Sequence, residues 1–151
     1  MADCRENKYV KMRIPDGTFE KTIELYWPIV YKNRISLIPG DKVLIEVEET
    51  DTGLGSFKLV EKVVNPEKTM EFSFTQLDKN LDMTLDVKNP FPKTIKYHLK
   101  IMDFKGNINE VTSCPIKAKS FVSQKWDYVV LDLIITDMHF LEPNDAMSCV
   151  Y

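Results

Sequence analysis

One stretch of the chain decides the fold: Leu81-Asp82-Met83-Thr84-Leu85-Asp86-Val87-Lys88-Asn89-Pro90-Phe91-Pro92. Apolar and polar residues alternate strictly from Leu81 to Lys88, so apolar side chains point to one face of the backbone and polar ones to the other. This period of two is typical of a strand with one dry and one solvated face. The Asn89-Pro90 pair then ends the strand, because proline has no backbone N–H for the ladder and pushes the preceding residue into an extended conformation.

The same alternation recurs on both sides of this stretch. Turn signals separate the alternating segments at intervals of about 8–12 residues, and no long helical period is present. The sequence therefore predicts an all-β fold, an antiparallel β-sandwich of about eight strands. Besides the quoted stretch, the predicted strands cover residues 9–14, 22–31, 35–38, 42–49, 56–64, 70–75, 95–101 and 129–136.

Three segments of the chain carry more specific predictions. Residues 22–31 are predicted to form one strand with Leu25 and Trp27 pointing inward, and Pro28 to mark an edge or a bulge. Residues 116–126 show no strong period, which predicts a loop or at most one short helix. Residues 129–136 are almost continuously apolar, which is typical of a central strand covered on both sides.

Length and composition restrict the class of protein. The chain has 151 residues, which fits one domain, predicted over residues 1–141 with a flexible polar tail over 142–151. The formal net charge of −3 comes from mixed signs without a basic block, so nucleic acid is not an expected partner. No apolar run approaches the roughly 20 residues that a transmembrane helix needs.

The N-terminal residues leave the cellular compartment open. No apolar h-region follows Met1, so no signal peptide is expected in the sequence as given. Removal of a leader from an exported protein and an intact cytosolic start both fit this observation.

The chain contains three cysteines, Cys4, Cys114 and Cys149. An odd number permits one bridge and one leftover thiol. A bridge between Cys4 and Cys114 is favoured, because it would tie the N-terminal segment to the late strands. It would also close a long loop, which is expected to stabilise the folded state by about 4–5 kcal/mol. Three reduced thiols in a cytosolic domain are the alternative. No cysteine belongs to a CxxC pair, so zinc is not predicted.

Three short landmarks carry a family resemblance. The runs Pro39-Gly40-Asp41, Asn89-Pro90-Phe91 and Thr112-Ser113-Cys114-Pro115 resemble those of a family of small, uncharacterised, exported bacterial proteins with an immunoglobulin-like sandwich. This resemblance implies export and a structural bridge at Cys114, but no activity. Residues 83–106 are also similar to the sandwich of desiccation-related late-embryogenesis proteins.

Methionine and histidine positions raise the question of copper, since thioether and imidazole groups suit that metal. His98 and Met102 are four residues apart, and Met138 precedes His139 near the last strand. The pattern is looser than in copper carriers, and most other methionines alternate on dry faces as core residues. We therefore expect no bound metal and no other cofactor.

No catalytic pattern accompanies the strands. The chain has two histidines that could act as imidazole bases, and no nucleophile motif or phosphate-binding glycine loop occurs. The acidic residues Glu46, Glu48, Glu49 and Asp51 lack the loop spacing of a calcium site. The sequence therefore does not predict an enzyme.

Aromatic residues near strand ends are the best candidates for an interaction surface. The group Trp126-Asp127-Tyr128 follows the segment that contains Phe121, and rigid aromatic side chains are common in binding surfaces. The alternative is that the group plugs one end of the sandwich. An edge strand that accepts a partner strand is another route, although Pro28 and surface lysines guard edges.

These observations favour a non-catalytic binding module, periplasmic or extracellular, that recognises a protein or an envelope component. A copper carrier or an enzyme whose site assembles only in the fold is the second hypothesis. A structural accessory domain is the third, and a cytoplasmic location is the alternative to export. The oligomeric state is left open.

Overall fold

The computed structural model describes residues 4–51, 53–77, 81–142 and 149. Within them, the chain forms twelve β-strands and one 3₁₀ turn at Pro66–Lys68. The strands are β1 (Arg5–Ile14), β2 (Gly17–Tyr26), β3 (Val30–Tyr31), β4 (Arg34–Leu37), β5 (Asp41–Thr50), β6 (Gly53–Val60), β7 (Thr69–Gln76), β8 (Met83–Lys88), β9 (Ile95–Met102), β10 (Ile108–Val111), β11 (Phe121–Trp126) and β12 (Asp132–Phe140).

Two five-stranded sheets pack face to face. The first has the strand order β10-β9-β12-β4-β3 and the second has the order β11-β8-β7-β5-β6. Every paired strand in both sheets is antiparallel. One continuous core of buried side chains joins β4, β9 and β12 of the first sheet to β5, β7 and β8 of the second. The predicted all-β antiparallel sandwich is confirmed, although the described residues form twelve strands rather than about eight. Its immunoglobulin-like topology stays a prediction.

The quoted stretch forms β8 and the turn that follows it. Met83, Leu85 and Val87 are buried in the core, as the alternation predicts. Asn89 is also buried, and its side chain organises the turn: Nδ2 donates to three backbone carbonyls, while Oδ1 accepts from the N–H of Phe91 at 2.9 Å. The Asn-Pro pair therefore ends the strand and also fixes the loop, because the asparagine satisfies backbone groups that the ladder no longer pairs.

The first two strands form a separate hairpin that packs against one end of the sandwich. Val10 and Met12 of β1 are buried against Ile38, and Phe19 of β2 stacks on Phe104 with ring centroids 4.7 Å apart. These contacts lie at the end where β4 and β9 finish. The hairpin thereby covers the end of the core that the loops alone would leave open.

Three strand predictions need correction. The segment 116–126 contains β11, an edge strand paired with β8, because edge strands need only one pairing face and carry a weak pattern. Residues 22–31 do not form one strand: β2 ends at Tyr26 and β3 starts at Val30, with Pro28 between them. The last strand is central between β9 and β4, as predicted, but it runs from Asp132 to Phe140.

The disulfide prediction was wrong in its pairing. Cys114 is bonded to Cys149, and Cys4 is an exposed free thiol. Loop length had favoured Cys4, but a bridge forms only where two Cα atoms already lie within about 7 Å. The proposed division into residues 1–141 and a tail of 142–151 stays a prediction, and residues 143–148, 150 and 151 of that tail lie outside the described residues.

Candidate functional site

The structure separates the residues of the surface predicted from sequence. Trp126 is buried and meets Phe74 edge to face, with ring centroids 6.3 Å apart, so it closes the end of the core. Tyr128 is partly exposed beside it, and Asp127 is exposed. Phe121 stands at the other end of β11, about 17 Å away along an extended strand. Phe121 therefore shares no site with Trp126, Asp127 and Tyr128.

A different exposed group is assembled from the segment 27–34. A two-residue turn joins β3 to β4 and places Tyr31 directly opposite Arg34. The Arg34 guanidinium lies 5.0 Å from the ring centroid of Trp27 and 5.9 Å from that of Tyr31, and Lys32 Nζ lies 5.5 Å from the Tyr31 ring. We call Trp27, Tyr31, Lys32 and Arg34 the cation–aromatic surface.

This surface is open to solvent at its aromatic rings. Trp27 is 57% exposed, Tyr31 is 40% exposed, and Leu25 nearby in the chain is 66% exposed. Single exposed apolar side chains are common on protein surfaces, and what distinguishes these two rings is that both lie within cation–π distance of Arg34. Because β3 is the outermost strand of its sheet, the surface also lies at an edge of that sheet, on the side where β3 approaches β6.

A buried polar network lies beneath the surface and holds it in place. Arg5 donates from Nε to the carbonyl oxygen of Trp27 at 2.8 Å and from Nη1 to Asp41 at 2.7 Å. Its remaining nitrogen, Nη2, donates to Ser36 Oγ at 3.0 Å. The side chains of Arg5 and Asp41 are only 9% and 2% exposed, so this ion pair is shielded from solvent. The backbone of Trp27 is thus held by Arg5 of the hairpin, which in turn binds Asp41 and Ser36 of the sandwich.

The network continues to a second buried carboxylate. Asp132 accepts hydrogen bonds from the hydroxyl of Tyr26 and from Ser36 Oγ, the latter at 2.8 Å. Burial raises the pKa of Asp132, and the two hydroxyls together with the charges of Arg5 and Arg34 oppose that rise. Burial and the bond to Asp132 raise the pKa of Tyr26. Every oxygen of Asp132 is therefore already engaged within the protein.

The sequence interpretation missed this surface because it assigned Leu25 and Trp27 to the dry face. The side-chain alternation of β2 changes phase between Ile23 and Tyr26, since both of these contact the core cluster around Val10 while Leu25 is exposed. Pro28 is the signal that could have ended the strand early, because proline supplies no ladder donor.

A groove of about 690 Å³ lies on the outer face of the second sheet. Its floor includes the cross-strand row Lys42, Ser73 and Asp86, and Phe121 stands at its rim opposite Lys88. The rim aromatic is 71% exposed. Charges of both signs line this groove, so it does not select one class of ligand by charge.

The residues considered for copper do not converge. His98 and Met102 lie on the same strand, and four residues of extended chain separate them by about 13 Å. Met138 is buried, and His139 Nδ1 lies 2.7 Å from the carbonyl oxygen of Asp137. Among the described residues, no group of three histidine, cysteine, aspartate or glutamate side chains is placed to hold a metal ion.

Comparisons with known proteins give no further assignment. No protein-family model, no curated protein and no solved structure matches the chain. In the described part of the chain, no helix is long and apolar enough to cross a membrane.

Proposed function

We propose that this protein is a non-catalytic binding module that docks a partner protein on the cation–aromatic surface. The observation that carries the proposal is that Arg34 lies within cation–π distance of the solvent-exposed rings of both Trp27 and Tyr31. Tryptophan, tyrosine and arginine are the residues most enriched among those that dominate binding energy in protein interfaces. The tryptophan and tyrosine rings are rigid, so little conformational entropy is lost when a partner covers them.

The pre-ordering of the surface supports the same proposal. The turn between β3 and β4 fixes Tyr31 opposite Arg34, and the buried Arg5 side chain fixes the backbone of Trp27. A surface held in this way needs little rearrangement on binding, which favours affinity.

We further propose that the module works in the periplasm or outside the cell. The bond between Cys114 and Cys149 supports this location, because structural disulfides persist mainly in oxidising compartments. The resemblance of the Pro39-Gly40-Asp41 and Thr112–Pro115 landmarks to exported bacterial proteins agrees with it.

The proposal is tested by capture from an envelope extract with the oxidised protein as bait. Wild type is compared with Trp27→Ala, which removes the most exposed ring of the surface, and with the matched control Phe121→Ala, which removes an exposed ring elsewhere. We expect a defined protein to be enriched by wild type and by Phe121→Ala, and to be lost with Trp27→Ala.

Two results would overturn the proposal. The first is that no protein is enriched over bait-free matrix. The second is that an enriched protein is retained by Trp27→Ala, and its loss with Phe121→Ala or Tyr128→Ala would assign the interaction to the surfaces around those residues instead. Circular dichroism of each variant confirms that the sandwich is intact before capture.

A further inference from the structure

Arg34 is partly buried and contacts two aromatic rings. Its guanidinium makes no hydrogen bond or ion pair with any residue in the described part of the chain, although the rings of Trp27 and Tyr31 lie within cation–π distance. A guanidinium carries its N–H donors in the plane of the group, so stacking leaves them free to bind a carboxylate at the edge.

Burial raises the pKa of one carboxylate and the charge of Arg34 opposes that rise, but this carboxylate is not available to bind Arg34. Asp132 feels the charge of Arg34, but it is 3% exposed and its oxygens are engaged by Tyr26 and Ser36. By contrast, the neighbouring Arg5 is paired with Asp41, which also binds Lys8. The network beneath therefore supplies no hydrogen-bonded carboxylate to Arg34 among the described residues.

We propose that Arg34 binds a carboxylate of an acidic segment of the partner protein, an inference that rests on the proposed function. Lys32 adds a second positive charge beside Tyr31. Trp27 and Tyr31 cover the flanking apolar atoms of that segment, which shields the ion pair from water and strengthens it.

The charge pattern favours a protein carboxylate over a nucleic acid. The surface carries two cations rather than an extended basic stripe, and the chain has a net charge of −3. Polyphosphate backbones are bound by many clustered lysines and arginines, which release counterions together. Two cations beside aromatic rings suit one or two carboxylates instead.

The test uses hexaglutamate peptide as the probe and the indole N–H signals of the ¹⁵N-labelled protein as the readout. The chain has two tryptophans, and Trp27→Phe assigns the signal of Trp27. We expect hexaglutamate to shift the Trp27 signal but not that of Trp126, which is buried. The shift is expected to weaken at high salt, because surface ion pairs are screened.

Three variants define the role of the guanidinium. Arg34→Gln is expected to weaken hexaglutamate binding about tenfold or more, since it removes a charge-assisted bidentate bond. Arg34→Lys is expected to restore only part of the affinity, because an ammonium cannot form that fork. Lys125→Gln, which removes an exposed charge from β11, is the matched control and is expected to bind as wild type does.

Specific outcomes would overturn the inference. Absence of a Trp27 shift with hexaglutamate refutes the acidic segment, as does an equal shift with hexaglutamine. Tighter binding of inorganic phosphate or of an oligonucleotide at the same signal assigns the surface to phosphate instead. Each of these results leaves the capture experiment intact, whereas capture that is independent of Trp27 refutes the proposed function even if the peptide binds.

Discussion

Two tyrosine hydroxyls in this protein are expected to affect stability in opposite directions. Tyr97 is 1% exposed, and its hydroxyl has no hydrogen-bond partner among the described residues. Burial raises the pKa of Tyr97 to about 12. The hydroxyl of Tyr26 instead donates to the buried carboxylate of Asp132. Substitution of each tyrosine by phenylalanine removes the same oxygen from two different environments.

The magnitudes follow from those environments. A buried hydroxyl without a hydrogen-bond partner destabilises the folded state by about 1–3 kcal/mol. Removal of the hydroxyl recovers this free energy, but the small void that it leaves offsets part of the gain. Tyr97→Phe is therefore expected to raise the free energy of unfolding by about 1 kcal/mol and the Tm by about 2–4 °C. Tyr26→Phe removes a hydrogen bond to a charged group and is expected to lower the free energy of unfolding by about 1.5–3 kcal/mol.

Urea unfolding followed by circular dichroism measures both values under one set of conditions. Each variant is the control for the other, because the chemical change is identical and only the partner of the hydroxyl differs. A Tyr97→Phe variant that unfolds at a lower urea concentration than wild type would refute the reasoning. In that case the Tyr97 hydroxyl has a hydrogen-bond partner in solution. The expected loss of stability in Tyr26→Phe would then not be enough to support the comparison of the two hydroxyls.

Three further predictions concern the disulfide and the buried network. Cys114→Ser is expected to cost about 4 kcal/mol, since the bond closes a loop with a sequence separation of 35; Cys4→Ser is expected to leave urea unfolding unchanged, and an equal loss in both variants would contradict the observed pairing. Arg5→Ala removes one of the two cations that bind the buried Asp41 and leaves Lys8 at 2.9 Å, so we expect a loss of about 1.5–3 kcal/mol and faster amide hydrogen exchange in β1 and β2; unchanged exchange there would show that the Arg5–Asp41 pair does not dock the hairpin. Because burial raises the pKa of Asp132, the folded state holds its proton more tightly than the unfolded state, and the stability from this group is lost as pH rises through the folded-state pKa. Asp132→Asn is therefore expected to gain stability relative to wild type as pH rises from acid to neutral, and parallel pH profiles of the two proteins would rule this out.

The sequence predicted the strands whose pattern depends on one buried face. In β8, Met83, Leu85 and Val87 alternate with polar residues, and the period alone determines which side chains enter the core. The proline after Asn89 marks the end of the strand equally well. Local chemistry was sufficient there, because neither the alternation nor the stop depends on which strand pairs with β8.

The remaining features depend on contacts between distant parts of the chain. Alternation placed Leu25 inward, but the hairpin packs through Tyr26, one residue out of phase. Opposite this segment, Asn7 adopts a left-handed φ of 50°, which interrupts the alternation of β1. The pairing of Cys114 with Cys149 is likewise a matter of proximity in the fold, about which loop length carries no information.

The buried network explains how a surface at a sheet edge acquires a defined geometry. A buried ion pair is a poor source of net stability, because the desolvation of both groups offsets much of their attraction. The pair of Arg5 and Asp41 instead has a positional effect: the same guanidinium that enters the core through Asp41 also holds the carbonyl of Trp27. A hydrophobic pair of similar volume could fill this space, but it could not donate to that carbonyl. The polar contact therefore holds the backbone from which the Trp27 ring reaches Arg34, and it links the docking of the hairpin to the shape of the cation–aromatic surface.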